Sequence, residues 1–156
     1  MIRLIWAMTK EQVIGKNNRI PWHIKEDLLY YKSKTEGKTV LMGEATYLSL
    51  KGYYKTKSLP YGKIYVASLN PNFSIEDGTI ISDLLSFIKE CEEDIWVVGG
   101  ASIYTLCLPY ADALYISWIK ENYVGDTYFP ALDFTKFKLN WEKETDLVHY
   151  TIYERV

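Results

Sequence analysis

The 156-residue chain predicts an α/β fold: a central mixed, mainly parallel sheet with helices on both faces and an antiparallel hairpin at the C-terminal edge. Three observations predict it. Residues 2–8 and 95–98 are short apolar runs, too short for helices and rich in branched and aromatic side chains, as buried strands are. Helix-start chemistry recurs between the early strands, at 25, 44, 83 and 101. The last stretch, 134–141 and 147–155, alternates polar and apolar residues around Thr145-Asp146, which is the pattern of a hairpin packed on one face.

After the first strand, residues 9–23 read as a loop holding Gly15, the pair Asn17-Asn18 and Pro21. Loops of that length are uncommon in compact domains and are often lids or binding loops. Pro21 fixes its own φ and pushes Ile20 toward extended geometry, so the helix starts a few residues after Trp22 and spans about 25–35, ending near Gly37. Residues 39–42 form the next strand. The turn Gly43-Glu44-Ala45-Thr46 then leads into a short helix ending near Leu50, with 51–62 as an exposed loop. A strand at 63–67, a turn at Asn70-Pro71-Asn72 and a short strand at 79–81 precede a helix capped by Ser82 or Asp83 and running to about Cys91. The strand at 95–98 ends in Gly99-Gly100 and a helix over 101–108. The strand at 114–119 follows, and Gly125-Asp126 marks a turn before Phe129-Pro130.

Composition narrows the function classes. Hydrophobic residues at 48% exclude a disordered chain, and one ordinary domain over 1–156 is expected. A net charge of −2 gives no footprint for nucleic acid or an anionic membrane. Cys91 and Cys107 have no second cysteine at metal or redox spacing, so no metal site is expected. Arg3 interrupts the apolar start and no apolar run reaches membrane-spanning length, so the expected location is cytoplasmic.

The candidate for chemistry is Asp27. Ile24, Leu28 and Tyr31 recur at spacings of four and three as an apolar stripe, and Asp27 lies on its edge. An acid in a first helical turn is favourably placed against the macrodipole, with Lys25 and Glu26 as a wetted face. The apolar diagonals and bulky Trp22 argue otherwise: a carboxylate shielded there must find a strong hydrogen-bonding partner or take up a proton. A donor-rich ligand would suit it. Two strand-to-helix turns, at 43–46 and 99–101, each expose unpaired backbone N–H groups of the kind that suits phosphate, and both could face one dinucleotide. Neither matches the G-x-G-x-x-G fingerprint.

Over essentially its whole length the chain resembles dihydrofolate reductase of the small monomeric bacterial type. The pieces that carry this are Val13-Ile14-Gly15, Pro21-Trp22 with Asp27, Met42-Gly43 with Thr46, Val98-Gly99-Gly100 with Tyr104, and Gly125-Asp126-Thr127 with Phe129-Pro130. The resemblance implies a dihydrofolate-reductase-like sheet and a monomer. It implies hydride transfer from NADPH to C6 of 7,8-dihydrofolate with water-mediated protonation at N5. Asp27 would hold the pterin 2-amino group and N3, Ser117 would bond that acid, and Trp22 would hold a water near it. Ile5, Leu28, Tyr31, Leu50 and Val98 would line the pterin and benzoyl pocket, with Ala7, Thr46 and Tyr104 also on the substrate side. Residues 9–23 would be the lid, with Ile20 closing it and the turn at Gly125-Asp126 as its partner. Backbone at Ala7 and Ile14 would meet the carboxamide. The helix starts, Gly43, Glu44, Ala45 and Thr46 with Gly99, Gly100, Ala101, Ser102 and Ile103, would take the pyrophosphate. Gly15, Asn18, Ser68, Leu69, Tyr104 and Thr127 complete the cofactor contacts.

Departures fall on the anionic ends of both ligands. Glu44, Ala45 and Leu69 stand where the family places basic or hydroxyl residues, which makes NADH an alternative to NADPH. Gly62 stands where an arginine grips the folate tail, leaving Lys63 or Lys57 to reach that anion as a point charge. The alternatives are a reductase of a reduced pterin without a glutamate tail, or a non-catalytic nucleotide-binding homologue.

Overall fold

The computed structural model describes residues 1–17 and 19–156; Asn18, expected at the cofactor, lies outside the described residues. In chain order the elements are β1 (Ile2–Thr9), β2 (Val13–Gly15), α1 (Lys25–Thr35), β3 (Thr39–Gly43), α2 (Glu44–Tyr54), β4 (Lys63–Ala67) and β5 (Thr79–Ile81). They continue with α3 (Leu84–Glu90), β6 (Ile95–Val97), α4 (Ala101–Cys107), β7 (Ala113–Ile119), β8 (Thr127–Tyr128), β9 (Phe137–Glu144) and β10 (Val148–Arg155).

Eight strands make one sheet in the order β5-β4-β3-β6-β1-β7-β10-β9. Every ladder from β5 to β7 is parallel, and β10 runs antiparallel to both β7 and β9. The mixed sheet with its antiparallel C-terminal edge is therefore as expected. Alternation along the strands supplies two cores. Leu4, Trp6, Met8, Leu41 and Val97 meet Leu84 and Ile88 of α3 and Ile103, Tyr104 and Cys107 of α4. Ile5, Val40, Met42, Val66 and Trp96 point the other way, toward Tyr31 of α1 and Tyr47 of α2. Each fully buried aliphatic side chain stabilises the fold by roughly 1.5–3 kcal/mol, so these layers fix the strand ends on which the site is built.

Three boundaries differ from the sequence reading. The loop at 9–23 contains β2, whose pairing with the two residues of β8 is too short to leave a periodic signal. The helix expected to stop near Leu50 runs on through Gly52 to Tyr54, so the exposed loop starts later. It ends at Lys55, which takes φ 55° and donates its N–H to Lys51 O, a left-handed terminus that glycine usually supplies. The fully buried strand at 95–98 stops at Val97, because Val98 is half-buried and turns out toward the cleft side. Of the two expected caps for α3, Asp83 is the one used: it accepts from Ser86 N at 3.2 Å.

Candidate active site

The stripe on α1 enters the core only in part. Leu28 is 45% exposed, and Thr35 is the only residue of α1 that is buried. Tyr31 packs toward α2, whereas Ile24 and Tyr30 pack on the cluster around Trp22, so α1 bridges two packed regions across an open cleft. Apolar spacing here marks an exposed side chain, Leu28, as well as a packing seam.

Asp27 sits in the first turn of α1, half-buried. Beneath it the register of three strands sets Ala7 of β1 beside Ser117 of β7 and Ser117 beside Tyr150 of β10, all on one sheet face. Burial raises the Asp27 carboxyl above the usual range; the Ser117 hydroxyl works the other way by hydrogen bonding to the charged form, and Glu26 adds a smaller upward push. Burial, with Tyr115 and Asp27 nearby, pushes the Tyr30 phenol up to about 12. Glu26 is not the wetted neighbour expected. It accepts from Thr145 Oγ1 at 2.9 Å and from Tyr150 OH at 3.3 Å, which anchors α1 to the final hairpin. Trp22 is 5% exposed, against Tyr123 at 5.4 Å, and closes this end of the cleft.

Toward the outer end, Ile5, Tyr31, Leu50 and Val98 share one packed cluster, which Leu28 does not join. A cavity of about 200 Å³ lies beyond them, lined by Tyr31, Lys32, Thr35, Glu36, Tyr54 and Pro60. Gly62 lies in the lining of the neighbouring cavity, and its backbone leaves no space for a side chain. A Cβ at that position would collide with the Gly37 carbonyl, because Gly37 N donates to Pro60 O and Gly62 N donates to Lys38 O, both at 2.9 Å. Lys63 does not stand in for the missing arginine. It pairs with Glu93 at 3.0 Å, in a group with Tyr65 on the opposite face of the sheet. Lys57 lines that same neighbouring cavity, of about 300 Å³, with Lys51 and Tyr61.

At the other end, β3 and β6 finish side by side. Gly43 N donates to Gly99 O and Val98 N to Leu41 O, both at 2.9 Å, so the turns into α2 and α4 lie together. Gly99 has φ 126°, which needs glycine, and the Thr46 hydroxyl lies where its Cβ would make contact. Tyr104 OH donates to Ile5 O at 2.8 Å and ties α4 to β1. Gly43 has no room for a Cβ against Ile103. These close approaches form a glycine cradle at the starts of α2 and α4, and the uncapped backbone N–H groups of helix starts suit a pyrophosphate. On its rim Ser68 Oγ donates to Glu44 Oε1 at 2.5 Å, while Ala45 and Ser102 are exposed and Leu69 is 92% exposed.

The loop at 9–23 is fastened to the turn at 125–128. Asp126 N donates to Gly15 O at 3.0 Å, and Asn17 N donates to Asp126 Oδ2 at 2.9 Å. Thr127 touches Gly15, Ile14 packs on the core, and Ile20 projects outward, 57% exposed. Sequence reasoning missed Tyr30, Tyr115, Tyr150, Tyr61 and the Glu44–Ser68 bond. Tyr115 was within reach, since it is two residues before Ser117 on a strand and must share its face.

A cleft beyond the ends of parallel strands, with a phosphate-type cradle at one end and a half-buried acid at the other, is the arrangement of an α/β domain suited to a dinucleotide beside a planar, donor-rich ring. The family model described as dihydrofolate reductase matches residues 1–154. The dihydrofolate reductase of Bacillus subtilis (strain 168) is 37% identical, over 89% of this chain and 81% of the relative. That of Staphylococcus haemolyticus is 33% identical, over 99% of this chain and 96% of the relative. Among solved structures, the Enterococcus faecalis dihydrofolate reductase complexed with NADP(H) and RAB-propyl superposes with a TM-score of 0.82 at 28% identity, covering 99% of this chain and 96% of that one. The chain belongs to the dihydrofolate reductase family, and with it to the oxidoreductases.

Proposed function

We infer that this chain reduces 7,8-dihydrofolate to 5,6,7,8-tetrahydrofolate with NADPH as donor. The observation that carries the reading is the half-buried Asp27 beside Ser117, in a chain of this family. Family membership favours this substrate over a tail-free pterin and over a non-catalytic role. The Enterococcus faecalis relative is a complex with NADP(H), which supports the donor.

When bound, the nicotinamide supplies the hydride that reaches C6. The chain's residues do the rest by orientation and exclusion of water. Asp27 accepts from the pterin 2-amino group and N3, two donors for its two oxygens, and Ser117 keeps the carboxylate turned toward them. Its negative charge favours protonation at N5, the proton arriving through water under Trp22. Ile5, Leu28, Tyr31, Leu50 and Val98 flank the ring and the benzoyl group. Gly43, Thr46, Gly99, Gly100 and the following N–H groups would hold the pyrophosphate. The lid at 9–23 covers the nicotinamide, held by Asp126 and Thr127. Residues 1–156 act as one domain and as a monomer, taking small molecules alone in the cytoplasm, an extension that rests on the sequence and the family.

The test is the fall in nicotinamide absorbance with dihydrofolate and NADPH, run beside Asp27→Asn. No turnover with the wild-type chain, or undiminished turnover in the variant, would sink the reading.

A further inference from the structure

The turns that leave β3, β4, β5 and β6 at their carboxyl ends, residues 43–46, 67–70, 81–83 and 98–102, contain no lysine, arginine or histidine. Two carboxylates stand there instead. Asp83 is engaged as the cap of α3, taking both the N–H and the hydroxyl of Ser86. Glu44 is held differently. Its Oε1 accepts the Ser68 hydroxyl at 2.5 Å, and the same serine oxygen accepts Asn70 N–H at 3.1 Å. Ser68 is buried and Glu44 half-buried, so both groups are fixed where two adjacent parallel strands end, on the rim of the cradle formed by Gly43, Thr46 and Gly99. Glu44 Oε2 has no hydrogen-bond partner among the described residues.

We propose that Glu44, positioned by Ser68, reads the adenosine ribose of the dinucleotide by accepting its vicinal 2′ and 3′ hydroxyls, so that NADH serves this chain on a par with NADPH. The inference rests on the reductase reading above and names the specificity element of that same site. A carboxylate can only accept, and a ribose diol offers two donors to it. A 2′-phosphate is itself an anionic acceptor, and against Glu44 it meets like charge with no cation in these four turns to bridge the two. Leu69, 92% exposed, brings no donor to replace one. The backbone N–H groups at the start of α2 attract the pyrophosphate of either dinucleotide equally, so they do not restore the discrimination. Ser68 is a positioning residue. Its hydroxyl proton is committed to Glu44 and cannot be offered to a phosphate at the same time.

The experiment measures dissociation constants for NADH and NADPH by quenching of tryptophan fluorescence without substrate, and kcat/KM for each donor with dihydrofolate. Wild-type constants for the two are expected within roughly threefold of each other. Glu44→Arg should shift the ratio toward NADPH by about tenfold or more, and the isosteric Glu44→Gln should shift it the same way by less. Ser68→Ala keeps the charge but loosens it, and should weaken NADH more than NADPH; equal weakening of both would refute the positioning role. A wild-type preference for NADPH of about tenfold or more, or a ratio unmoved in Glu44→Gln, overturns the proposal while leaving the reductase reading intact. Failure to bind either dinucleotide or to reduce dihydrofolate with either overturns both.

Discussion

The hydroxyls of Tyr31 on α1 and Tyr61, two residues before β4, meet at 2.8 Å and join the two walls of the cleft at its outer end. Burial raises both phenols, so each is a neutral donor and acceptor at physiological pH. Tyr61→Phe would leave the Tyr31 hydroxyl without this partner, which costs about 1–3 kcal/mol, whereas removing both hydroxyls is nearly neutral. Thermal unfolding should therefore show a lowered Tm for Tyr61→Phe and a partial recovery in Tyr31→Phe/Tyr61→Phe. Additive losses in the double variant would mean that the bond contributes nothing as a pair.

Asp27 sets function against stability. Its carboxyl is raised chiefly by burial, so the folded chain holds a proton more tightly than the unfolded chain does. Stability thus falls as pH rises from the ordinary carboxylate value through the raised one, and stays lowered above it. Asp27→Asn should slow turnover at neutral pH by on the order of 10²–10⁴, and less at low pH. In the same variant without ligands, Tm at neutral pH should rise, with the gain vanishing below the usual carboxylate range. A variant less stable than wild type at neutral pH would show that the charge is well solvated in the fold.

The parallel strands and the acid on α1 were legible because burial and period leave marks in single segments. The sheet order was not, since each ladder depends on partners far away in sequence. β2 is three residues long and gains its partners only from β8, more than a hundred positions later. Gly52 fell in the stretch 51–62 expected as exposed loop, yet it lies inside α2 with open space at its Cβ position, and the helix stops at Lys55 instead. Ser117 was placed by resemblance. Its neighbours Tyr115 and Tyr150 needed strand alternation and cross-strand register, and only the first of these is written in the local sequence.

Restoring an arginine at position 62 should fail as an engineering step. Its Cβ would collide with the Gly37 carbonyl, and relief requires parting the Gly37–Pro60 and Gly62–Lys38 backbone bonds. Gly62→Arg is expected to lower stability by about 1–3 kcal/mol or more, as overpacking does. It should not tighten folate over pteroate, which lacks the glutamate, by more than about threefold. A stable variant with a strongly improved preference for the glutamate-bearing ligand would show that the 37–38 and 60–63 segments give way easily.

The fastening of the lid should respond to pH through Asp126. Its carboxyl is held below the usual range, first by the Asn17 N–H and then by the Thr127 hydroxyl, and it is fully exposed. A depressed carboxyl contributes its tether above the ordinary carboxylate value and loses it as pH falls through the lowered one. At neutral pH the tether is present, and Asp126→Ala removes it while leaving the bond from residue 126 N–H to Gly15 O in place. Hydrogen exchange of peptides covering 13–20 should then quicken by about tenfold, with the strands beneath unchanged, because opening there is local. In wild type the same peptides should lose protection, beyond the intrinsic pH dependence, only under strongly acidic conditions. Unaltered exchange in Asp126→Ala would mean that the pairing of β2 with β8 alone holds the lid, and that the carboxylate is a bystander.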